Sequence, residues 1–307
     1  MIALILAEKI FSLFLIMAVS MLLVKIKLLN EEASKIVSVL LLYMFFPCVI
    51  LDAFQVTFTP EVRGGIILGT IAAVVIHALF LMLKPLMEKT LKLKTVESCS
   101  VIYSNSGNLI IPLVTSVLGP EWVIYTSSFI AVQLVLFWSH CKAAISGEPE
   151  IEWRKVVTNP NMVAIFVGLV LLVTGWRFPH TINDAITSVG AMVGPSAMII
   201  AGILLGGIDW KKLLSYKRLP LVVLLRLVVI PLLCLVVLKY SGIAGFVANG
   251  DMVLLITLLA CSTPSATTVV SMASLWSDEG EYASAINVAT STLCIFTMPI
   301  IIALYQW

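Results

Sequence analysis

The sequence predicts an all-α polytopic membrane protein, with ten transmembrane helices arranged as two inverted five-helix repeats and with its fourth and ninth helices broken. Three observations carry that expectation. The 307 residues are 60% hydrophobic and 12% charged, with a mean hydropathy of +1.09, which lies outside the range of a soluble domain. The charges gather in short clusters between apolar runs of about 20 residues, enough for a helix to cross roughly 30 Å of hydrocarbon, and the runs lack the alternation of a barrel strand. Finally, "YSNSGNLIIPLV" (103–114) and "CSTPSATT" (261–268) put helix-weakening residues inside two apolar segments at corresponding positions of the two halves.

In chain order, helices are expected over about 4–24, 32–54, 62–84, 96–117, 120–143, 160–176, 183–206, 219–239, 251–274 and 282–304. The first carries Glu8 and Lys9 and lacks the basic start and cleavage site of a secretory signal, so it is expected as a retained span. Pro47 in the second ("MFFPCVI") and Pro195 in the seventh ("MVGPSAM") occupy matching places and should each kink a helix. The third holds His77, a candidate proton sensor or a hydrogen-bonded packing residue. The sixth is short. Asp52, near the end of the second helix, should be interfacial. The six cysteines show no C-x-x-C spacing and read as packing residues, with no metal site implied.

Residues 144–159, containing "SGEPEIEWRKVVTN", form the one long polar linker and separate a first repeat (1–143) from a second (160–307). An odd number of helices per half makes the repeats inverted. Placing alternate connections inside, starting with the first, assigns 14 of the 19 Lys and Arg residues to the cytoplasm, among them Lys84, Lys142, Lys155, Lys211 and Arg218. The positive-inside rule therefore predicts a multi-pass protein of the cell (plasma) membrane with both termini outside.

Non-helical backbone is tolerated at membrane depth only where protein buries it or it lines a watery cavity. The two breaks are thus expected to meet as a substrate site, with half-helix N-termini offering partial positive charge to a carboxylate. The candidate substrate-binding residues are Ser104, Asn105, Gly107 and Asn108 from the first break, Thr263 and Ser265 from the second, Gln133 and Asn287 at similar places in the fifth and tenth helices, and Arg226. Ser106, Ser262, Thr267 and Thr268 add hydroxyls, while Pro112 and Pro264 shape the crossover. Small polar residues also serve as glue between packed helices, and that alternative stands beside the site reading. Arg226, about seven residues into the eighth helix, should offset a bound anion, pair with a carboxylate such as Glu97 or Asp251, or snorkel to the headgroups.

These residues resemble the auxin efflux carrier family, which includes plant PIN-formed auxin transporters and bacterial permeases for malate or malonate. Asn105 seven residues before Pro112, Pro264 in "CSTPSATT", "NPNMVAIFVGLV" from Asn159 with Gly168, Arg226 with Pro231 in "LLRLVVIPLL", and Pro47 all look like family motifs, nearly end to end. The resemblance implies a fold akin to bile-acid symporters and the NhaA antiporter. It implies a scaffold of helices 1, 2, 6 and 7, a transport domain of helices 3–5 and 8–10, and elevator-type movement. By position, Asn105 would meet the substrate carboxylate, and a homodimer through the scaffold would fit. The short linker departs from the long regulatory loop of plant members, and the hydroxyl-rich second break points to a smaller, more polar substrate than an indole acid.

The expected function is secondary transport of small organic anions, mono- or dicarboxylates or auxin-like acids, by alternating access. The alternative is a sodium- or proton-coupled symporter of a related fold. No acidic residue lies in either break, which disfavours a cation antiporter, although backbone carbonyls could still hold sodium. No H-E-x-x-H pair, P-loop or paired intramembrane aspartate occurs, so no enzyme and no cofactor is expected. The bilayer and the anion are the expected partners, with no nucleic acid.

Overall fold

The computed structural model describes residues 2–148, 150–207 and 210–306, without the side chains of 2–11, 14, 31, 107, 108, 116, 117, 210, 212, 214 and 295. Among the described residues the chain is helical and contains no strand, only one isolated β-bridge. The helices are α1 (Ile2–Lys25), α2 (31–53), α3 (Pro60–Thr90), α4 (Thr95–Ile102), α5 (Ser106–Val117), α6 (Pro120–Ser146), α7 (Pro160–Thr174), α8 (His180–Gly206), α9 (Leu219–Tyr240), α10 (Gly250–Ser262), α11 (Thr267–Trp276) and α12 (Gly280–Gln306). Among the described residues five of them, α2, α3, α6, α8 and α9, are long and apolar enough to cross a membrane, and α12 makes a sixth if the 54° bend after Cys294 is taken within one span.

Two boundaries differ from the sequence expectation for physical reasons. The third predicted helix runs on to Thr90 through Pro85. The seventh starts at His180 and is interrupted by a turn at Ala191–Met192. Ala191 lies four residues before Pro195, where a helical carbonyl would meet the proline ring, and the helix passes through a turn there with right-handed dihedrals at Ala191 and Met192, continuing as one span. At Pro47 and Pro231 the chain finds another solution. Each follows a turn of π-helix (Leu41–Phe45 and Leu225–Val229), in which Phe46 N donates to Leu41 O and Ile230 N to Leu225 O, five residues back. The widened turn gives the ring room without ending the helix.

The described chain divides into two compact units. The first comprises 1–63, 108–127 and 157–208; the second comprises 64–107, 128–156 and 209–307. Within the first, α1 packs along the second half of α8, and α7 against the end of α2. Close approach depends on missing side chains: a Cβ on Gly202 would sit 2.2 Å from Met17 O, and one on Gly168 would sit 2.5 Å from the Phe54 ring. The "NPN" that precedes Gly168 starts α7, with Asn159 Oδ1 accepting from Asn161 N (2.9 Å) and Pro160 in the first turn, where its absent N–H costs nothing.

In the second unit, α9 packs on α10 and α12, and α11 on α12 and α4. The linker is not a free strand. Its short helix Trp153–Val157 brings Lys155 Nζ to 4.5 Å over the Trp138 ring and 2.6 Å from Glu152, while the buried Lys142 Nζ lies 3.4 Å from Glu152.

Candidate functional site

The site is built where two helices fail. After α4 the backbone turns extended at Tyr103 (φ −95°, ψ 123°), and after α10 it does so at Thr263 (φ −66°, ψ 158°), resuming as α11 beyond Ala266. The two extended segments pair as a minimal antiparallel ladder: Asn105 N donates to Pro264 O (2.8 Å), Ala266 N donates to Tyr103 O (3.1 Å), and Ser104 lies opposite Ser265. Proline suits position 264 because the ladder uses only its carbonyl. In the interior of α5, Pro112 leaves the Asn108 carbonyl, four residues back, without its helical N–H.

Groups that the ladder leaves over are taken up by side chains from three further helices. Gln133 on α6 accepts from Ser104 N (3.2 Å) and Ser104 Oγ (2.7 Å) through Oε1, and its Nε2 donates to Ser104 O (2.8 Å) and Ser106 Oγ (2.8 Å). Asn287 on α12 donates through Nδ2 to Ser265 O (2.5 Å), and Ser265 N donates to Thr290 Oγ1 (3.1 Å). Gln133 and Asn287 thus play the same part toward opposite arms, each holding the serine that faces the other across the bridge.

Arg226, 0% exposed, reaches the crossover from the π turn of α9. Its Nη1 donates to Val101 O (2.8 Å), its Nη2 to Cys261 O (2.7 Å) and Thr263 O (2.6 Å), and its Nε to Thr263 O (3.0 Å). These carbonyls belong to the last turns of α4 and α10, the negative ends of two helix dipoles. Burying a guanidinium costs several kcal/mol, and four charge-assisted hydrogen bonds at about 1.5–3 kcal/mol each are enough to offset it. The carboxylate partner expected for Arg226 is corrected here. Glu97, also 0% exposed, lies 3.0 Å from Arg218 Nε and accepts from Tyr282 OH (3.0 Å) and Lys94 N (2.8 Å).

The remaining candidates sort by what their polar atoms already do. Thr263 Oγ1 donates to Ala260 O (2.9 Å) and Ser262 Oγ to Leu258 O (2.8 Å), each a bond back into its own helix. Ser265 Oγ is buried with no hydrogen-bond partner among the described residues. The Asn105 side chain is half-buried beside the ladder. Of Gly107 and Asn108 only the backbone, in the first turn of α5, is described. His77 makes no bond to the ladder backbone: its Nδ1 donates to Ala73 O (2.7 Å) and its ring packs on Phe80 and Phe129, beside the Gln133 side chain.

Two contributors escaped the sequence reading. Thr290 lies one turn after Asn287 on the same helix face, and His140 lies two turns after Gln133 on another; those spacings were the available signals. His140 Nδ1 is 2.8 Å from the hydroxyl of Tyr103, whose carbonyl is part of the ladder.

The sequence matches the profile of the family described as "Membrane transport protein" over residues 5–151 and 148–302, nearly its whole length. The chain belongs to that family. Membrane transport proteins of this kind are the auxin efflux carriers, as the Asn105, Pro112 and Pro264 pattern led us to expect. No curated protein matches the chain. Membership, with several long apolar helices, makes this a multi-pass membrane protein of a transport family.

Proposed function

We propose that the protein is a secondary transporter of small organic anions, mono- or dicarboxylates of the malate or malonate class, that binds the carboxylate at the crossover. The observation that carries this reading is the ladder between Ser104–Asn105 and Pro264–Ala266, which opens two helices, α5 and α11, at one place. The first N–H groups of a helix have no partner within it and bear partial positive charge, which suits a carboxylate placed at the openings of α5 and α11. Asn105 and the unpartnered Ser265 hydroxyl add neutral donors for which a carboxylate can exchange its water shell, and the buried Arg226 guanidinium lies close by on the carbonyls of Thr263 and Val101. In this reading the ten predicted helices form two inverted repeats, helices 1, 2, 6 and 7 stay as a scaffold suited to a homodimer, and helices 3–5 and 8–10 move as an elevator. The protein then lies in the plasma membrane with both termini outside.

Uptake of labelled malate, malonate and succinate into proteoliposomes tests the proposal. Asn105→Ala should lower flux of the transported acid by about tenfold or more, the worth of a lost hydrogen bond to a charged group, while insertion and melting temperature stay unchanged. Undiminished flux would remove Asn105 from the site, and failure of every carboxylate would remove the substrate class.

A second reading, proton-coupled transport, is favoured by one contact. The Tyr103–His140 pair joins a titratable imidazole to a backbone segment of the crossover itself.

A further inference from the structure

We infer that Arg226 is a tethered cation occupying the position where the crossover would otherwise hold a coupling ion, so that this carrier binds neither sodium nor potassium between its half-helices. In carriers with broken helices, unwound carbonyls and half-helix C-terminal ends are the groups that coordinate a coupling sodium ion. Here those groups converge on one guanidinium. Val101 O comes from the end of α4, and Cys261 O and Thr263 O come from the end of α10, all within 2.6–3.0 Å of the Arg226 nitrogens.

Three features make the substitution specific. The donors span carbonyls from two separate helices, as a coordinated ion would, whereas a simple helix cap serves one. A planar fork can reach three carbonyls at once, and it stays charged at any physiological pH, which a lysine ammonium on a flexible stem matches only in charge. The cation is also delivered by a third element, the π turn Leu225–Val229, whose widened backbone is held by the proline that follows it. A sodium ion coordinated by the same carbonyls would sit within about 4 Å of the guanidinium in a water-poor interior, where like-charge repulsion is strong. Guanidinium and metal ion therefore compete for one place, and the covalently attached one is always present.

The consequence for transport rests on the carrier reading above; the cation position does not. Melting temperature in detergent is measured for the wild type, Arg226→Ala, Arg226→Lys and Arg226→Met in sodium, potassium, guanidinium or choline chloride at equal ionic strength, each at tens of millimolar. Wild-type values should agree within about 1 °C across all four salts, while guanidinium or sodium should raise Arg226→Ala by about 2 °C or more over choline, because a ligand of the folded state alone stabilises by mass action. Wild-type stabilisation by sodium over choline would overturn the inference, as would an Arg226→Ala variant indifferent to every cation. If Arg226→Ala does not fold in any salt, the conservative pair decides. Recovery of folded protein with Lys but not with Met supports the tethered charge, and equal recovery with Met reduces the residue to packing. Salt-indifferent wild type with cation-rescued Arg226→Ala but no carboxylate flux would uphold the tethered cation and sink the anion reading.

Discussion

The side-chain amide of Gln133 stands in for the helix that Ser104 has lost. Its Oε1 takes the Ser104 N–H and hydroxyl, and its Nε2 serves the Ser104 carbonyl and Ser106 Oγ. One side chain on α6 thereby satisfies the donor and the acceptor of a residue whose neighbours on both sides are engaged by the opposite break. Without it, a buried N–H and C=O would have no partner and no water to replace one.

Gln133→Leu should therefore lower stability by about 2–5 kcal/mol, since each orphaned buried group costs about 1–3 kcal/mol. Asn287→Leu should cost about 1–3 kcal/mol, because it orphans only the Ser265 carbonyl. Chemical denaturation in detergent would rank the two, and a larger loss for Asn287→Leu would mean that the arms of the crossover are not held as the contacts indicate.

Gly168→Ala tests the close approach of α7 to α2. The added Cβ would lie 2.5 Å from Phe54 Cδ2 and 3.0 Å from its Cβ, near the root of a side chain that is 1% exposed and has nowhere to turn. Overpacking of this kind costs about 1–3 kcal/mol. Phe54→Leu alone should also destabilise through the cavity it leaves, yet the double variant should lose less than the sum of the two, since each change relieves the other. Strict additivity in the melting temperatures would show that the two residues do not press on one another.

The architecture was legible wherever it depends on local chemistry. Pro264 and the Ser–Asn–Ser–Gly run mark the breaks because both weaken a helix wherever they occur, and the spacing from Asn105 to Pro112 carried the family resemblance. What could not be read were partners without a residue signature. Arg226 bonds to main-chain carbonyls, which every residue possesses, so the sequence offered a bound anion, a carboxylate or the headgroups as its partners and not these carbonyls; Glu97 instead lies beside Arg218. The π turns before Pro47 and Pro231 were hidden for a related reason: a proline predicts that a helical bond is lost, not whether the helix passes through a turn, as at Ala191–Met192, or widens.

The linker contact should depend on pH. Lys155, and behind it Lys142, hold the Glu152 carboxyl below its ordinary value of 4.5. A depressed folded-state value means that the contact is at full strength above the ordinary value and fades as pH falls through the depressed one. Proteolytic protection of residues 150–157 should accordingly hold at neutral pH and decline only as pH falls below the ordinary glutamate value. Glu152→Gln should bring the same loss to neutral pH, and protection that survives both treatments would mean that the stacking of Lys155 on Trp138 holds the linker without the carboxylate.

His140 and Tyr103 supply the last test, because the proton-coupled reading makes them act as a pair. The Tyr103 hydroxyl touches His140 Nδ1, while its own carbonyl accepts from Ala266 N in the ladder, so a change in imidazole protonation is two groups away from the crossover backbone. Lys84 and Glu88 act on the same imidazole through their charges, and Glu88 is itself bonded to Lys84 Nζ (2.7 Å) and Ser98 Oγ (2.6 Å). Tyr103→Phe removes the link and leaves the histidine; His140→Gln removes the titration and leaves a hydrogen-bonding side chain. If protons couple through this pair, both variants should retain substrate binding and flatten the dependence of flux on pH between about 5 and 8, the window in which histidine titrates. A flattened profile in His140→Gln with an unchanged one in Tyr103→Phe would leave the histidine titrating on its own account and remove the hydroxyl from the path.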